Sequence, residues 1–546
     1  MVVANFVEMI ATSIRDNWEL EALSNYKEED FTFGKTGEEI LRFHKLFQNL
    51  EVQRGEKISV IGKNNINWAL TYLSTTSYGA VIVPLLQDFH SNDIVHIVNH
   101  SDSTILFISD SIFEKLDLEQ LKHLKAIYSL DTMELLYTSV DNAPVYEQIT
   151  LDEKVTKENF KLPEIGHEEL LGILYTSGTS GFSKGVMLKH KSLAANVEFG
   201  VKYIQLTPGM KIVSFLPLAH AYGVAFEFLS PFAMGCHINF LGKVPSPQII
   251  LKAFADVRPN LIFAVPLIIE KIYKKKIKPA ISKPAVKLLL HIPLLNRIVY
   301  NKVNRQISQA FGGNFKEVII GGAAFNSDVE KFLRKAKFKY TVGYGMTECG
   351  PLISYAAWDD LPLYSCGKPI PYVEVRIDSP NPRKTPGEIL VRGFNVMTGY
   401  YKNDEATQSA IDREGWLHTG DLGVMDKDDY IYIKGRSKNM ILGASGQNIY
   451  PEEIEAKLNN MPYVQESIVV EDKGRLHALI VPDQELIEAE NLSREKLEVE
   501  MQNNQKHLNH QLPAYMSISK IILHDKEFEK TPKKSIKRYL YTVSQN

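Results

Sequence analysis

Over roughly the first 350 of its 546 residues this chain alternates short apolar runs with amphipathic stretches of helical period, and that alternation admits few folds. KISVIG precedes the helical pattern NWALTYLSTTSYG. AVIVPL precedes SNDIVHIVNHSD, with Ser91 placed to cap that helix, and TILFIS follows. Strand-length apolar runs separated by period-3.6 segments are how a strand, crossover helix and parallel strand read in sequence. The pattern resumes at LGILY, KIVSFLP, CHINFLG, NLIFAVP, EVIIGG and YTVGYG, with SPQIILKAFADV and NSDVEKFLRKAK as helices between them. An α/β fold of doubly wound subdomains, its sheet system reaching about residue 350, is expected.

From Tyr372 the texture changes to period-two segments, YVEVRID, GEILVRG and DDYIYIKG, separated by Pro, Gly and Asp turns. These predict a β subdomain, about residues 365–435, completing a large N-terminal domain over 1–437. Residues 438–546 read as a small α+β domain. It has a helix from near Pro451, strands VQESIVVED and RLHALIVPD, a polar helix from about Ser493 and a last strand SKIILHD. The 62 Lys and Arg balance 65 Asp and Glu, which leaves no bulk attraction for nucleic acid. Cys236, Cys349 and Cys366 form no CxxC pair, which argues against disulfides and structural zinc and for a reducing cytoplasm. Early charges at Glu8, Arg15, Asp16 and Glu19 exclude a signal peptide, and no uncharged apolar run is long enough to span a bilayer.

The segment with most chemical content is YTSGTSGFSKGV, Tyr175 to Val186, directly after the apolar run LGILY. Its density of Gly, Ser and Thr lets backbone N–H groups and hydroxyls approach an anion, and Lys184 adds a positive charge. It is a phosphate-cradling loop by composition but not a Walker A loop, since Lys184 precedes Gly185 instead of Ser or Thr.

That loop closely resembles the phosphate loop of the adenylate-forming enzymes, the group of acyl-CoA synthetases, peptide-synthetase adenylation domains and luciferases. LPLAHAYG (216–223), IIGGAAF (319–325), VGYGMTECGP (342–351), GEILVRG (387–393), GWLHTGDLG (415–423) and GRSKNMILGASGQNIYPEEIE (435–455) follow in that family's order. LPLAHAYG and NLIFAVPLIIEKIYKK look most like long-chain fatty acyl-CoA synthetases. The resemblance implies ATP, Mg2+ and CoA as partners of a fatty acid. Thr176, Ser177, Gly178, Thr179, Ser180, Gly181 and Lys184 would hold the phosphates, Glu348 would carry Mg2+, and Thr347 would contact a phosphate oxygen. Gly322, Ala323, Ala324, Tyr344 and Gly345 would bound the adenine, Asp421 and Arg436 would take the ribose, and His220 would border the acyl carboxylate. The loop GASGQN with Gly446 would admit the thiol after the C-terminal domain rotates about a hinge at Lys438, where Asn439 stands in place of the common Asp. Family members also place a lysine near the C-terminus, in a segment like TPTxKIKR, that reaches the reacting anions during adenylation. Here KTPKKSIKR puts Ser535 at that point, so Lys534 is the expected substitute, with Lys533 and Lys537 as neighbours.

The implied activity is ligation of a fatty acid to CoA through acyl-AMP. An acyl-AMP ligase loading an acyl carrier protein is the alternative acceptor reading, and Ser535 suggests a non-catalytic acyl-adenylate or nucleotide-binding protein as another. One stretch falls outside all of these: Lys271 to Arg305 carries ten Lys or Arg and no Asp or Glu among Leu, Ile and Val. It reads either as a solvated basic helix covering the core or as a peripheral contact with an anionic membrane.

Overall fold

The structure, a computed structural model, describes residues 3–176, 184–243, 245–442, 447–472, 474–531 and 536–542. Its largest sheet has eight strands, in spatial order Gly399–Tyr400, Lys184–Lys189, Leu170–Thr176, Val81–Leu85, Lys57–Ile61, Ser103–Ile108, Ala126–Ser129 and Leu135–Thr138. The five from Leu170–Thr176 to Ala126–Ser129 run parallel, as the alternation predicts. Helices Ile66–Tyr78 and Ser91–His100 make two of the crossovers. Asn65 caps the first through a bond from the Trp68 amide. In the second, Ser91 is already helical and His90 holds the extended capping conformation, one residue before the expected cap.

The sheet system expected up to residue 350 divides into three, and Tyr344–Gly345 opens a further antiparallel sheet with Leu352–Tyr355 and Lys368–Pro369. A four-stranded sheet runs Lys211–Ser214, His237–Phe240, Glu21–Asn25, Asp30–Thr32. Here the N-terminal strand Glu21–Asn25 pairs in parallel with His237–Phe240 and takes the edge that a continuous sheet would have used. A separate all-parallel sheet of three short strands joins Ile262–Ala264, Val318–Ile320 and Tyr340–Val342.

Beyond it, Val373–Asp378, Gly387–Gly393, Leu417–Met425 and Ile431–Arg436 form an antiparallel sheet. The segment between its strands is not confined to that region: Gly399–Tyr400 crosses to the large sheet, with Gly399 opposite Met187 and Tyr400 opposite Val186. The small C-terminal domain packs helices Pro451–Leu458 and Arg494–His510 on the strands Val464–Asp472, Arg475–Pro482 and Ile518–Leu523. Ser493 caps the second helix, and a side-chain cap of this kind stabilises by about 1 kcal/mol. Among the described residues no helix is long and apolar enough to cross a membrane.

Two core histidines make stability sensitive to acid. His44, between Ser74 and Ser77, and His190, beside Phe6, are buried, and desolvation holds each near 4. Both are neutral in the folded state and protonate in the unfolded chain below about 6.5. Unfolding therefore takes up protons between about pH 6.5 and 4, and stability falls as the pH falls through that window. The melting temperature is expected to drop on acidification from neutrality. The drop should be smaller in His44→Gln, relative to that variant's own neutral value, by an amount that reflects about 3 kcal/mol of linkage.

Candidate active site

The three-stranded parallel sheet delivers most of the candidate residues at its carboxyl ends, where open α/β sheets bind ligands. Val265 follows Ile262–Ala264, Gly321 to Ala324 follow Val318–Ile320, and Gly343 and Tyr344 follow Tyr340–Val342. The strand ends are tied together by Gly321 N–H to the Ala264 carbonyl (3.1 Å) and Gly343 N–H to the Ile320 carbonyl (2.9 Å). Gly322 turns at φ 90°, a left-handed conformation that favours glycine, and Gly322, Ala323 and Ala324 form an exposed ledge of small residues. Gly345 has a packing reason to be glycine, because a Cβ there would overlap the Pro351 carbonyl.

Tyr344 is buried, and its phenol donates to Asp421 Oδ2 at 2.8 Å. Arg436 Nε lies 3.1 Å from Asp421 Oδ1. Asp421 is placed by a ladder and not by a strand end. It sits inside Leu417–Met425, directly opposite Arg436 in the ladder with Ile431–Arg436, and that register brings carboxylate and guanidinium together. Burial pushes the Asp421 carboxyl up, opposed by the Arg436 charge and the Tyr344 hydrogen bond. Burial, reinforced by Asp421, likewise pushes the Tyr344 phenol up, so it stays a donor at neutral pH. Two donors on one carboxylate fix its plane while leaving lone pairs for a further hydroxyl.

Glu348 lies in the short turn Thr347–Cys349, four residues past Tyr344. Its charge also acts to raise the Asp421 carboxyl, which places the two acids within electrostatic reach in one site. Asn196 braces this turn from behind: it donates to the Cys349 carbonyl and accepts the Leu352 amide. Glu348 Oε1 accepts the hydroxyl of Tyr400 at 3.0 Å, and the Lys184 ammonium stands 4.8 Å from the centre of the Tyr400 ring. A cation on the face of a phenol that itself donates to a carboxylate is held in direction without being neutralised by a direct ion pair. Tyr400 therefore couples Lys184, from the Gly/Ser/Thr-dense loop, to the glutamate of GMTE. Its position follows from the pairing of Gly399–Tyr400 with Lys184–Lys189, and nothing in the local sequence announces it.

His220 sits half-buried in the LPLAHAYG loop, its amide bonded to the Pro217 carbonyl. The loop is clamped twice. Asn64 donates to the Leu216 carbonyl (2.7 Å) and accepts the Leu218 amide (3.1 Å), and buried Glu227 accepts both the Phe215 and Leu216 amides at 2.9 Å. Glu227 belongs to a π-helical turn, Gly223–Leu229, and burial raises its carboxyl well above the usual range. Tyr222, two residues after His220, donates to the Ile319 carbonyl and presents its ring to Gly321, where an added Cβ would lie 3.3 Å away. The His220 loop and the small-residue ledge thus share a wall.

Thr176 ends Leu170–Thr176 and pairs with Lys184 in the ladder. Ser177, Gly178, Thr179, Ser180 and Gly181 lie outside the described residues, as do Gly446 and, in the tail, Lys533, Lys534 and Ser535. Lys438 lies in a turn, Ser437–Asn439, just past the ladder residue Arg436, and Asn439 donates to Glu452 at 2.6 Å. Lys537 pairs with Glu529 at 3.4 Å, Lys530 with Glu466 at 2.6 Å, and Arg538 with buried Glu455. The C-terminal domain meets the N-terminal one through Lys275 to Glu485 (2.8 Å) and Asn326 to Asn460 (2.7 Å).

The model of the AMP-binding enzyme family matches residues 11–401, and that of the AMP-binding enzyme C-terminal domain matches 438–543. The chain belongs to the AMP-binding enzyme family. The long-chain-fatty-acid–CoA ligase FadD15 of Mycobacterium bovis is 27% identical over 478 residues, covering 81% of this chain and 75% of that protein. The chloroplastic long-chain-fatty-acid–[acyl-carrier-protein] ligase AEE15 of Arabidopsis thaliana is 26% identical over 537 residues, 83% of this chain and 72% of that protein. The ATP-bound crystal structure of MatB from Rhodopseudomonas palustris superposes with a TM-score of 0.77 at 22% identity, covering 99% of this chain and 98% of that one. At that identity the likeness establishes the fold: a large N-terminal and a smaller C-terminal domain of the adenylate-forming type.

Proposed function

We propose that this enzyme activates a fatty acid with ATP and passes the acyl group to CoA. In the first step a carboxylate oxygen attacks the α-phosphorus, the bond to the β-phosphate oxygen breaks and pyrophosphate leaves. In the second the CoA thiol attacks the acyl carbonyl carbon, losing its proton, and AMP departs. The first step joins two anions, so the site must supply positive charge and donors fixed in advance. The convergence of Lys184, Tyr400 and Glu348 beside Tyr344, Asp421 and Arg436 carries this reading.

In the proposal Lys184 faces the outer phosphates, the Gly322 to Ala324 ledge and Tyr344 enclose the base, and Asp421 receives the ribose hydroxyls with Arg436 beside it. Glu348 fits Mg2+ by its chemistry, because a carboxylate that accepts one hydrogen bond among the described residues retains oxygen lone pairs for a hard cation that also binds phosphates. When bound, that ion would offset charge on the phosphates. His220, oriented by the doubly clamped loop, borders the acyl carboxylate. Three cysteines, all buried and free, suit a reducing cytoplasm. The division into 1–437 and a mobile 438–546 domain is supported by the turn at Lys438 lying between two separately packed cores.

Fatty acid as substrate rests on relatives near 27% identity, and the [acyl-carrier-protein] ligase among them supports a second acceptor. Pyrophosphate release measured over a panel of carboxylic acids, followed by acyl transfer to free CoA or to a loaded carrier protein, tests both. Release with long-chain acids and transfer to CoA is expected. Transfer to the carrier alone would replace CoA as acceptor, and ATP binding without release for any acid would leave a binding protein.

A further inference from the structure

We infer that the helical hairpin built from Pro284–His291 and Leu295–Ala310 is a docking element for an anionic lipid surface. The sequence left open whether this basic stretch covers the core, and the structure divides it: Ile272 and Ile277 are buried and Tyr300 and Val303 pack against the core, while the tip of the hairpin stands clear of it. No residue of the first helix is buried, and only Ile307 of the second is. Six large apolar side chains stand exposed within eleven residues: Leu288, Leu289, Ile292, Leu294, Leu295 and Ile298. Leu294 is 79% exposed, Leu288 65% and Ile298 63%. Leu294 forms the apex between the helices in a left-handed conformation, φ 73°, an uncommon one for a bulky residue, and it projects there with nothing packed over it.

The charges around this apex are of one sign. Lys283, Lys287, Arg297, Lys302 and Arg305 have no acidic partner among the described residues, and no Asp or Glu occurs from 271 to 305. By contrast, Lys275 and Lys278, at the start of the stretch, are engaged with Glu485 and the Asn460 carbonyl of the C-terminal domain. Along the second helix Ile298, Lys302 and Arg305 recur at helical spacing, so an exposed apolar residue next to the apex and the basic flank share one face. That order matches a bilayer surface, with leucine and isoleucine entering the acyl boundary and long basic stems reaching the phosphates. An acidic protein partner would satisfy the cations and leave Leu294 without a role. The hairpin is also close in the chain to the candidate site, since helix Pro266–Ile272 begins directly after Val265, which lies 3.7 Å from where a Cβ on Gly322 would stand. Docking stands on this surface alone and is independent of the acid that the enzyme activates.

The full-length protein is tested by sedimentation with vesicles of phosphatidylcholine and of phosphatidylcholine with phosphatidylglycerol, without ATP or fatty acid. Binding to the anionic vesicles, weakened by salt, is expected. K287Q/R297Q/K302Q should lower the partition coefficient by roughly a hundredfold, at about fivefold per cation. Leu294→Glu with Ile298→Glu should reduce it as well, and because all five positions are exposed the melting temperature reports whether the fold persists. Equal binding to both vesicle types, binding to neither, or undiminished binding by folded Leu294→Glu/Ile298→Glu overturns the inference. So does retention on an immobilised acidic acyl carrier protein through the same cations with no vesicle binding, which would make the face a protein-docking site.

Discussion

Replacing Lys184 or Glu348 by alanine is expected to lower acyl-adenylate formation by about a hundred- to a thousandfold, the usual cost of deleting a preorganised charge or donor from a transition state. Neither side chain is part of a hydrophobic core, so the melting temperature should stay close to that of the parent protein. The measurement is pyrophosphate release with ATP and acid, alongside the rate at which preformed acyl-AMP is converted to thioester. The second rate should change far less, because it creates no encounter between a carboxylate and a polyphosphate. Near-parental pyrophosphate release in either variant would remove that residue from the phosphate site. Tyr400→Phe provides a graded control. It keeps a ring beneath Lys184 and loses only the bond to Glu348, so it should lie between the parent and Glu348→Ala.

How much of this site could be read from sequence depends on whether a residue's role is local. Lys184 and Glu348 stand in segments whose composition announces them, a Gly/Ser/Thr-dense loop after an apolar strand and a turn after YTV. Strand and helix positions were legible for the same reason, since period and caps are local properties. Thus KISVIG gives Lys57–Ile61, and SPQIILKAFADV and NSDVEKFLRKAK give Pro247–Val257 and Ser327–Lys335, whereas the cap placed at Ser91 falls one residue late. Tyr400 was not legible, because it acts through a two-residue strand that pairs across more than two hundred residues. The same is true of the division into three sheets, which turns on where Glu21–Asn25 pairs. The closeness of Asp421 to Arg436 was not legible either, because it follows from the register of two strands and from no local pattern. Glu227 did leave a signal: a lone carboxylate in AYGVAFEFLSPFAMG must either be solvated or accept buried donors, and it accepts two amides that shape the His220 loop.

The second large effect is expected in the tail, where Ser535 stands at the position the family gives to lysine. Three neighbouring lysines were candidates to replace it, and the structure separates one of them. Lys537 lies 3.4 Å from Glu529, and the chain around it is held by Lys530 on Glu466 and Arg538 on buried Glu455. To act on a substrate anion Lys537 would have to leave Glu529, whereas Lys534 adjoins Ser535 and a four-carbon ammonium stem can make up a one-residue shift. Lys534→Ala is therefore expected to depress pyrophosphate release by about the margin given for Lys184, while thioester formation from preformed acyl-AMP persists. Lys537→Ala should change release by less than about tenfold, since an exposed pair of this kind contributes little. Activity retained in Lys533→Ala, Lys534→Ala and the double variant would exclude this segment as the source of the cation. Loss only in Lys537→Ala would show that its bond to Glu529 opens during the reaction. The contrast between the two half reactions is the decisive part, because a merely unfolded tail would not spare the second.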